Sequence, residues 1–272
     1  MKKIFFLFFL LPMTLQVSYA QQGWEVGAWA GTAHYFGDLN TSFNLSMPRF
    51  ATGILGRYNF NNRLCLRLSG NYGSIAADDS KSKNIVERRR NMKIETDLLD
   101  GSAQFEFNFL PYNHGSANEF FTPYLTGGFS VVQYNPRSLY EGKWVDLRPL
   151  GTEGQFKNAE YFTTTGAFTY GGGIKVDLSD YWSLNVDISA RRVFTDYLDD
   201  VSGVYPDLKN LEKLHGKAAV ALADPSIPDA LGNKIGVRGI QRGNSKDNDT
   251  YVYFGIGVAY YFGDLKCPAF FR

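Results

Sequence analysis

The chain has 272 residues and a formal net charge of +1, with 28 basic and 27 acidic side chains. So even a balance leaves no electrostatic footprint for a polyanion and excludes nucleic acid as an expected partner. Aromatic residues make up 16% of the chain and Gly fills 28 positions, which favours strands and tight turns over helical bundles.

The first element is a leader. Lys2 and Lys3 precede an apolar run from Ile4 to Leu11, and Ser18-Tyr19-Ala20 forms a small-x-small cleavage site before Gln21. This reads as a secretory signal peptide over residues 1–20. The run is too short for a transmembrane anchor, which takes about 20 residues. No Cys stands at the cleavage site, which disfavours a lipoprotein. Two of the 28 basic residues fall in the leader, so 26 remain against 27 acidic ones. No later apolar run is long enough for a helical span, but a barrel needs only every second residue to be apolar.

Eight strands follow in order. A weak first one covers Trp24 to Phe36. In the second, Phe50, Thr52, Ile54, Gly56, Tyr58 and Phe60 alternate with Ala51, Gly53, Leu55 and Arg57. Asn61-Asn62 makes a tight turn into the third, where Leu64, Leu66, Leu68, Gly70 and Tyr72 alternate with Cys65, Arg67, Ser69 and Asn71. The fourth carries Leu99, Gly101, Ala103, Phe105, Phe107 and Phe109 on one face, and the fifth Leu125, Gly127, Phe129 and Val131. The sixth carries Tyr170, Gly172, Ile174, Val176 and Leu178. After Ser179-Asp180 the seventh carries Leu184, Val186, Ile188 and Ala190, and the eighth runs from Val252 to Phe262.

Connectors alternate in length. Asn61-Asn62, Ser179-Asp180 and Leu110 to Glu119 are short or modest. Asp38 to Pro48, Ala76 to Arg90, Pro136 to Phe162 and Asp196 to Asp249 are long. Within the last, Leu208, Leu211 and Leu214 at helical spacing predict one short helix. The expected fold is therefore all-β: an eight-stranded antiparallel transmembrane β-barrel over residues 21–262, with long extracellular loops, a short helix in the last loop, and a periplasmic tail over 263–272. A soluble lipocalin-like barrel or β-sandwich has the same periodicity with its faces reversed. The Gly-, Ser- and Asn-rich polar face, the unequal loops, and an aromatic girdle of Tyr58, Phe60, Tyr72, Phe109, Tyr181 and Trp182 favour the membrane, with Leu66, Phe107, Val176 and Ile256 facing lipid.

Eight strands enclose only enough room for side chains, so a plug is expected and not a channel. Arg57, Arg67, Glu106, Lys175, Asp177 and Asp187 fall on the lumen face within about five residues of the short-turn end, which predicts one paired ionic network. His34, His114 and His215 lack metal-ligand spacing, and neither a nucleophile elbow nor a phosphate loop occurs. No catalytic, cofactor or metal residue is therefore assigned. The arrangement nearest to an active site is His34 with Asp38 and Ser42, read as an ordinary loop His beside a turn Asp. Asp196, Asp199 and Asp200 read as a solvated acidic loop, with a Ca²⁺ site as the alternative. Cys65 and Cys267 both belong to the short-turn side of an oxidising compartment, where a disulfide between them is possible.

Several motifs carry a family resemblance: Tyr35-Phe36-Gly37-Asp38-Leu39-Asn40 after the first strand, Pro123-Tyr124-Leu125 in the fifth, and Asp196-Tyr197-Leu198-Asp199-Asp200-Val201-Ser202 after the seventh. Arg242-Gly243-Asn244-Ser245-Lys246-Asp247 and the Lys266-Cys267-Pro268 tail complete the set. In these the chain resembles the PorG-type outer-membrane barrels of the type IX secretion system. The resemblance implies a non-enzymatic barrel associated with a periplasmic ring, itself built from a lipoprotein and its partner subunit. The first motif is echoed by Tyr261-Phe262-Gly263-Asp264-Leu265 at the opposite side of the membrane. On residues alone, the tail is the natural contact for a partner, through Asp264, Leu265, Lys266, Pro268, Phe270 and Phe271. Outer-membrane lipid is the other expected partner. A surface adhesin or ligand binder acting through the extracellular loops, and a lipid-modifying enzyme, are the competing functions.

Overall fold

A computed structural model describes residues 22–41 and 44–265. The expected leader, Ser42, and the tail from Lys266 onward, with Cys267, Pro268, Phe270 and Phe271, lie outside the described residues.

Among the described residues nine strands form: β1 Gly23–Phe36, β2 Arg49–Asn59, β3 Leu64–Asp78, β4 Lys93–Asn108, β5 Phe121–Tyr140, β6 Lys143–Asp146, β7 Thr164–Asp177, β8 Trp182–Val193 and β9 Thr250–Phe262. All but β6 make the barrel wall. Each pairs antiparallel with its neighbours, and the last returns to the first, with Trp24 opposite Phe262 and Phe36 opposite Thr250. The short β6 pairs only with the far end of β5, from Arg137 opposite Asp146 to Tyr140 opposite Lys143.

The two faces are inverted relative to a soluble protein. Ile54, Phe105, Val131 and Ile256 are each about 60% or more exposed on the outside, whereas Glu25, Arg57, Glu106 and Lys175 are wholly buried inside. In water this would expose an apolar patch far beyond what monomers tolerate; in lipid it is the required arrangement. The soluble lipocalin-like alternative fails on this point. Leu66, Phe107, Val176 and Ile256 all lie on the outer face. On β4 the outward apolar positions run from Leu99 to Phe107, about 27 Å along the strand and a little over 20 Å along the barrel axis at a tilt of about 40°. Rings close the short-turn end of this belt, where Trp24 meets Tyr58 at 5.1 Å and Trp182 meets Tyr260 at 5.1 Å. Phe168 meets Phe129 and Phe194 at 5.0 and 4.9 Å at the other end.

Several boundaries differ from the sequence expectation. The fourth strand begins at Lys93, β3 continues to Asp78 and β5 to Tyr140, so the loops expected at Ala76–Arg90 and Pro136–Phe162 are shorter. Beyond the membrane an outward side chain need not be apolar, so the alternation that marks a strand fades. Cross-strand ion pairs take its place: Arg49–Glu95 at 2.7 Å, Arg137–Asp97 at 2.6 Å and Lys93–Asp78 at 3.7 Å. The single helix expected in the last loop is two, Leu208–His215 and Lys217–Ala223, broken at Gly216 with φ +84°. Leu211 is buried there but Leu214 faces out. Another helix, Ile85–Arg90, capped by the Asn84 side chain, sits in the loop after β3 and had no apolar period to announce it.

Position in the belt should set the cost of a charge. Ile256→Arg, near the midplane, should lose about 2–4 kcal/mol of barrel stability, against about 0–1 for Phe262→Arg in the girdle. The fraction of heat-modifiable folded barrel in membranes measures both, and equal losses would contradict the assignment of the belt.

Candidate functional site

The barrel is plugged at both ends by different chemistry. At the short-turn end the inward residues of β1, β2, β4 and β7 converge. Arg57 bridges Glu25 at 2.5 Å and Glu106 at 3.1 Å, and Lys175 pairs with the same Glu106. Asn59 donates to Glu25 at 2.7 Å, and Arg57 donates to Asn185 at 3.2 Å. Arg67 and Asp187 form a second pair at 2.9 Å. Tyr124 joins the two groups, because its hydroxyl donates to Asp187 and its ring lies 5.0 Å from the Lys175 ammonium. Asp177 enters through His114, which stands 3.0 Å from it and 3.2 Å from Glu25. Tyr112 also donates to Asp177.

All six lumen residues expected from the sequence thus lie in this half of the lumen, but their connection depends on Tyr124 and on two further residues that were missed, Glu25 and His114. Glu25 lies between the outward Trp24 and Val26, so its inward position was readable from period 2. His114 was not readable: it belongs to the turn between β4 and β5, which folds up into the mouth and stacks the imidazole on Tyr261 at 4.5 Å. Burial disfavours its imidazolium most, but contacts with Asp177 and Glu25 outweigh burial and raise its pKa to about 9. The cation is therefore the resting form. Four carboxylates, Glu25, Glu106, Asp177 and Asp187, then meet Arg57, Arg67, Lys175 and His114, and the plug is neutral. Cys65 is buried in the same layer, 3.8 Å from the Asn108 amide nitrogen. Its expected partner Cys267 is outside the described residues.

The long-loop end is closed by packing. Trp29, Ala33, Ile75, Leu98, Val132 and Val193 of the wall surround Leu198 and Val201, which descend from the segment after β8. The solvated acidic loop expected there is instead buried, with Asp199 and Asp200 almost inaccessible. Asp200 accepts from Tyr161 at 2.7 Å and from Thr152, and Arg242 lies 3.6 Å away. Tyr35 places its hydroxyl 2.6 Å from Asp199 and 2.8 Å from Asp249. One hydroxyl has one proton to give. One of the two carboxyls must therefore be protonated and donate to the tyrosine oxygen; burial drives both well above the ordinary carboxylate range. Asp199 and Asp200 are thus already engaged, and among the described residues no group of three His, Cys, Asp or Glu has the geometry to hold a metal. His34 contacts Thr32 at 3.1 Å, while Asp38 accepts from the Asn244 backbone at 2.7 Å, so neither serves the other. Ser42 is outside the described residues.

The echoed motif has a structural counterpart. Tyr35 at the exit of β1 and Tyr261 at the exit of β9 both point into the lumen, and in each case the Gly two residues later, Gly37 or Gly263, lies against the tip of that ring where a Cβ would collide. Leu39 is buried at one mouth, and Leu265 at the other sits beside Gly115 of the β4–β5 turn.

A closed antiparallel wall, an apolar belt between aromatic rims and a charge-filled lumen define a transmembrane β-barrel of the outer-membrane type, plugged and not porin-like. The chain belongs to the family described as a domain of unknown function, DUF6089, which matches residues 2–218. No curated protein matches the sequence. Among solved structures it is similar to Ail, the attachment invasion locus protein of Yersinia pestis, crystallised with the heparin analogue sucrose octasulfate (9% identity, 89% of this chain and 99% of that one, TM-score 0.43). It is also similar to neisserial surface protein A (13%, 88% and 97%, 0.43) and to OprG of Pseudomonas aeruginosa (12%, 90% and 99%, 0.41).

Two measurements probe the short-turn plug. Arg67→Ala leaves Asp187 buried without its cation and should cost about 3–5 kcal/mol, while Arg88→Ala on the exposed helix should cost about 1 or less. Urea midpoints in detergent compare them, and equal values would contradict a paired plug. For His114 the folded pKa is raised, so its stabilisation is complete below pH 6.5 and is lost as pH rises through about 9. The difference in urea midpoint between wild type and His114→Gln should therefore be largest near pH 6 and shrink by pH 10.

Proposed function

We propose that this protein is a non-enzymatic outer-membrane component of the type IX protein secretion machinery, exported through a cleaved leader over residues 1–20, that ties the periplasmic ring complex to the membrane. The observation that carries the reading is the double plug. A lumen filled with paired charges below and apolar packing above conducts nothing, which leaves the two ends of the barrel as the working surfaces. The motif resemblance across nearly the whole mature chain favours the ring lipoprotein and its partner subunit as the periplasmic ligands.

On that side the available surface is one patch and not two. Leu265 lies against the β4–β5 turn at Gly115, where an added Cβ would come within 3.4 Å of it. Leu265 is the last residue before the stretch with Lys266, Pro268, Phe270 and Phe271, so the turn from Leu110 to Glu119 and that stretch are proposed as one contact surface. A membrane barrel has no folding need for apolar residues beyond its last strand, and such residues usually pack on a partner. A disulfide from Cys267 to Cys65 would fasten the same tail to the mouth.

The second reading, a surface adhesin or ligand-binding barrel, draws on the other end. There Ile85, Val86 and Leu231 are more than 60% exposed on a cap otherwise tied together by hydrogen bonds. The two separate cleanly. Deleting Asp264 to Arg272 should leave the barrel folded and heat-modifiable while abolishing co-purification of the ring lipoprotein with its partner subunit and blocking secretion. Unchanged co-purification and secretion would defeat the ring proposal and leave the extracellular cap as the functional surface.

A further inference from the structure

The outer face of β8 reads Trp182, Leu184, Val186, Ile188, Ala190 and then Arg192, followed by Phe194. Arg192 is exposed on the lipid side of the wall. It stands opposite Phe168 of β7 and Thr250 of β9, level with the aromatic rim at the long-loop end. Its neighbour Arg191 points inward to Asp100 at 3.4 Å, but the ion pairs among the described residues leave Arg192 out. An arginine on a lipid-facing wall is tolerated near the interface only if its head reaches something polar, and a phosphate suits the guanidinium fork best.

Arg192 also borders a cleft of about 700 Å³ between the outer face of β7–β9 and the loop after β1. The floor is apolar, made by Tyr170, Ala190, Val252 and Phe254, and it lies within the membrane belt. Polar residues of the loops line the side away from the membrane, Thr41 and Asn244 among them. Two carboxylates line it as well, but each is engaged: Asp38 accepts from the Asn244 backbone at 2.7 Å and Asp247 from the Asn244 amide at 2.6 Å. Among the described residues that line the cleft, Arg192 is the charged side chain with neither an ion pair nor a hydrogen bond, and it is placed where acyl chains give way to headgroups.

We propose that this cleft holds a phosphate-bearing lipid of the outer leaflet, its phosphate on Arg192 and an acyl chain along the apolar floor. The site is independent of the periplasmic role, since it lies on the lipid side of the opposite end. Bisphosphorylated lipid A, added to the full-length barrel in a neutral maltoside detergent and followed by native mass spectrometry, is the probe. Wild type should retain one lipid A and bind the same lipid stripped of its phosphates at least about tenfold more weakly, the effect of losing a charge-assisted contact. Arg192→Gln should show the same loss with lipid A, Arg192→Lys should recover part of it, and Arg88→Gln should behave as wild type. Equal retention of phosphorylated and stripped lipid by wild type would overturn the proposal without recourse to any variant. So would undiminished binding by Arg192→Gln, or displacement of lipid A by millimolar inorganic phosphate, which would mark a site for soluble anions.

Discussion

A backbone crossing lipid has no water to bond to, and each unpaired N–H or C=O there costs several kcal/mol. That demand is what the pairing of β1 with β9 meets, through thirteen consecutive registered residues from Trp24–Phe262 to Phe36–Thr250. Closure removes the sheet edges, and the rest follows from it. A closed wall of eight strands has a lumen only wide enough for side chains. Those side chains either pack against one another, as Trp29, Leu98 and Val132 do at the long-loop end, or, where charged, must find partners. Arg57 is the clearest case: wholly buried, it touches Glu25, Glu106 and Asn185 from three other strands. Such a residue gains from the fold only when the whole ring is closed.

The wall was legible in the sequence because a membrane enforces period 2 on every strand that crosses it. Ile54, Leu68, Phe105 and Ile256 declare the outside, and by parity Arg57, Arg67, Glu106 and Lys175 declare the inside. Legibility ended where the membrane ended. Lys93 to Asp97 remain in β4, but their outward side chains are charged and pair across strands, so the signal that named the strand was gone. The plugs were hidden for a different reason. Asp200 is buried only because Thr152, Tyr161 and Arg242 reach it from 48, 39 and 42 residues away. Locally it looks like any acidic loop. His114 is the same problem at the other end, since a histidine in a turn says nothing about a cavity above it.

The two plugs differ in what they ask of solvent. The short-turn plug is ionic and balanced, with His114 as the fourth cation. The long-loop plug is apolar at its centre, and its acids are handled by tyrosines, a threonine and one arginine, or by keeping a proton between Asp199 and Asp249 around the Tyr35 hydroxyl. Replacing either arrangement by open lumen would strand several buried charges at once. The barrel is therefore a rigid post. The plugs leave the surfaces at its two ends accessible, among them the mouth at Gly115 and Leu265 and the cleft at Arg192.

The seam shows how closure and plugging are joined. β1 and β9 are the first and last strands of the wall, and each leaves it through the same five residue types, Tyr-Phe-Gly-Asp-Leu. The strand alternation turns the Tyr inward and the Phe outward. The Gly then leaves room for the Tyr ring to lean over the departing chain, and the Leu is folded back across the mouth. At one end the inward ring is Tyr35, which anchors Asp199 of the upper plug; at the other it is Tyr261, which stacks on His114 of the lower plug and donates to the Gln22 carbonyl at 3.0 Å. An antiparallel pair sends its two exits to opposite sides of the membrane. One short motif, used once on each strand, therefore ties the seam to both plugs. The two strands whose pairing closes the barrel are also the two that hold its stoppers in place.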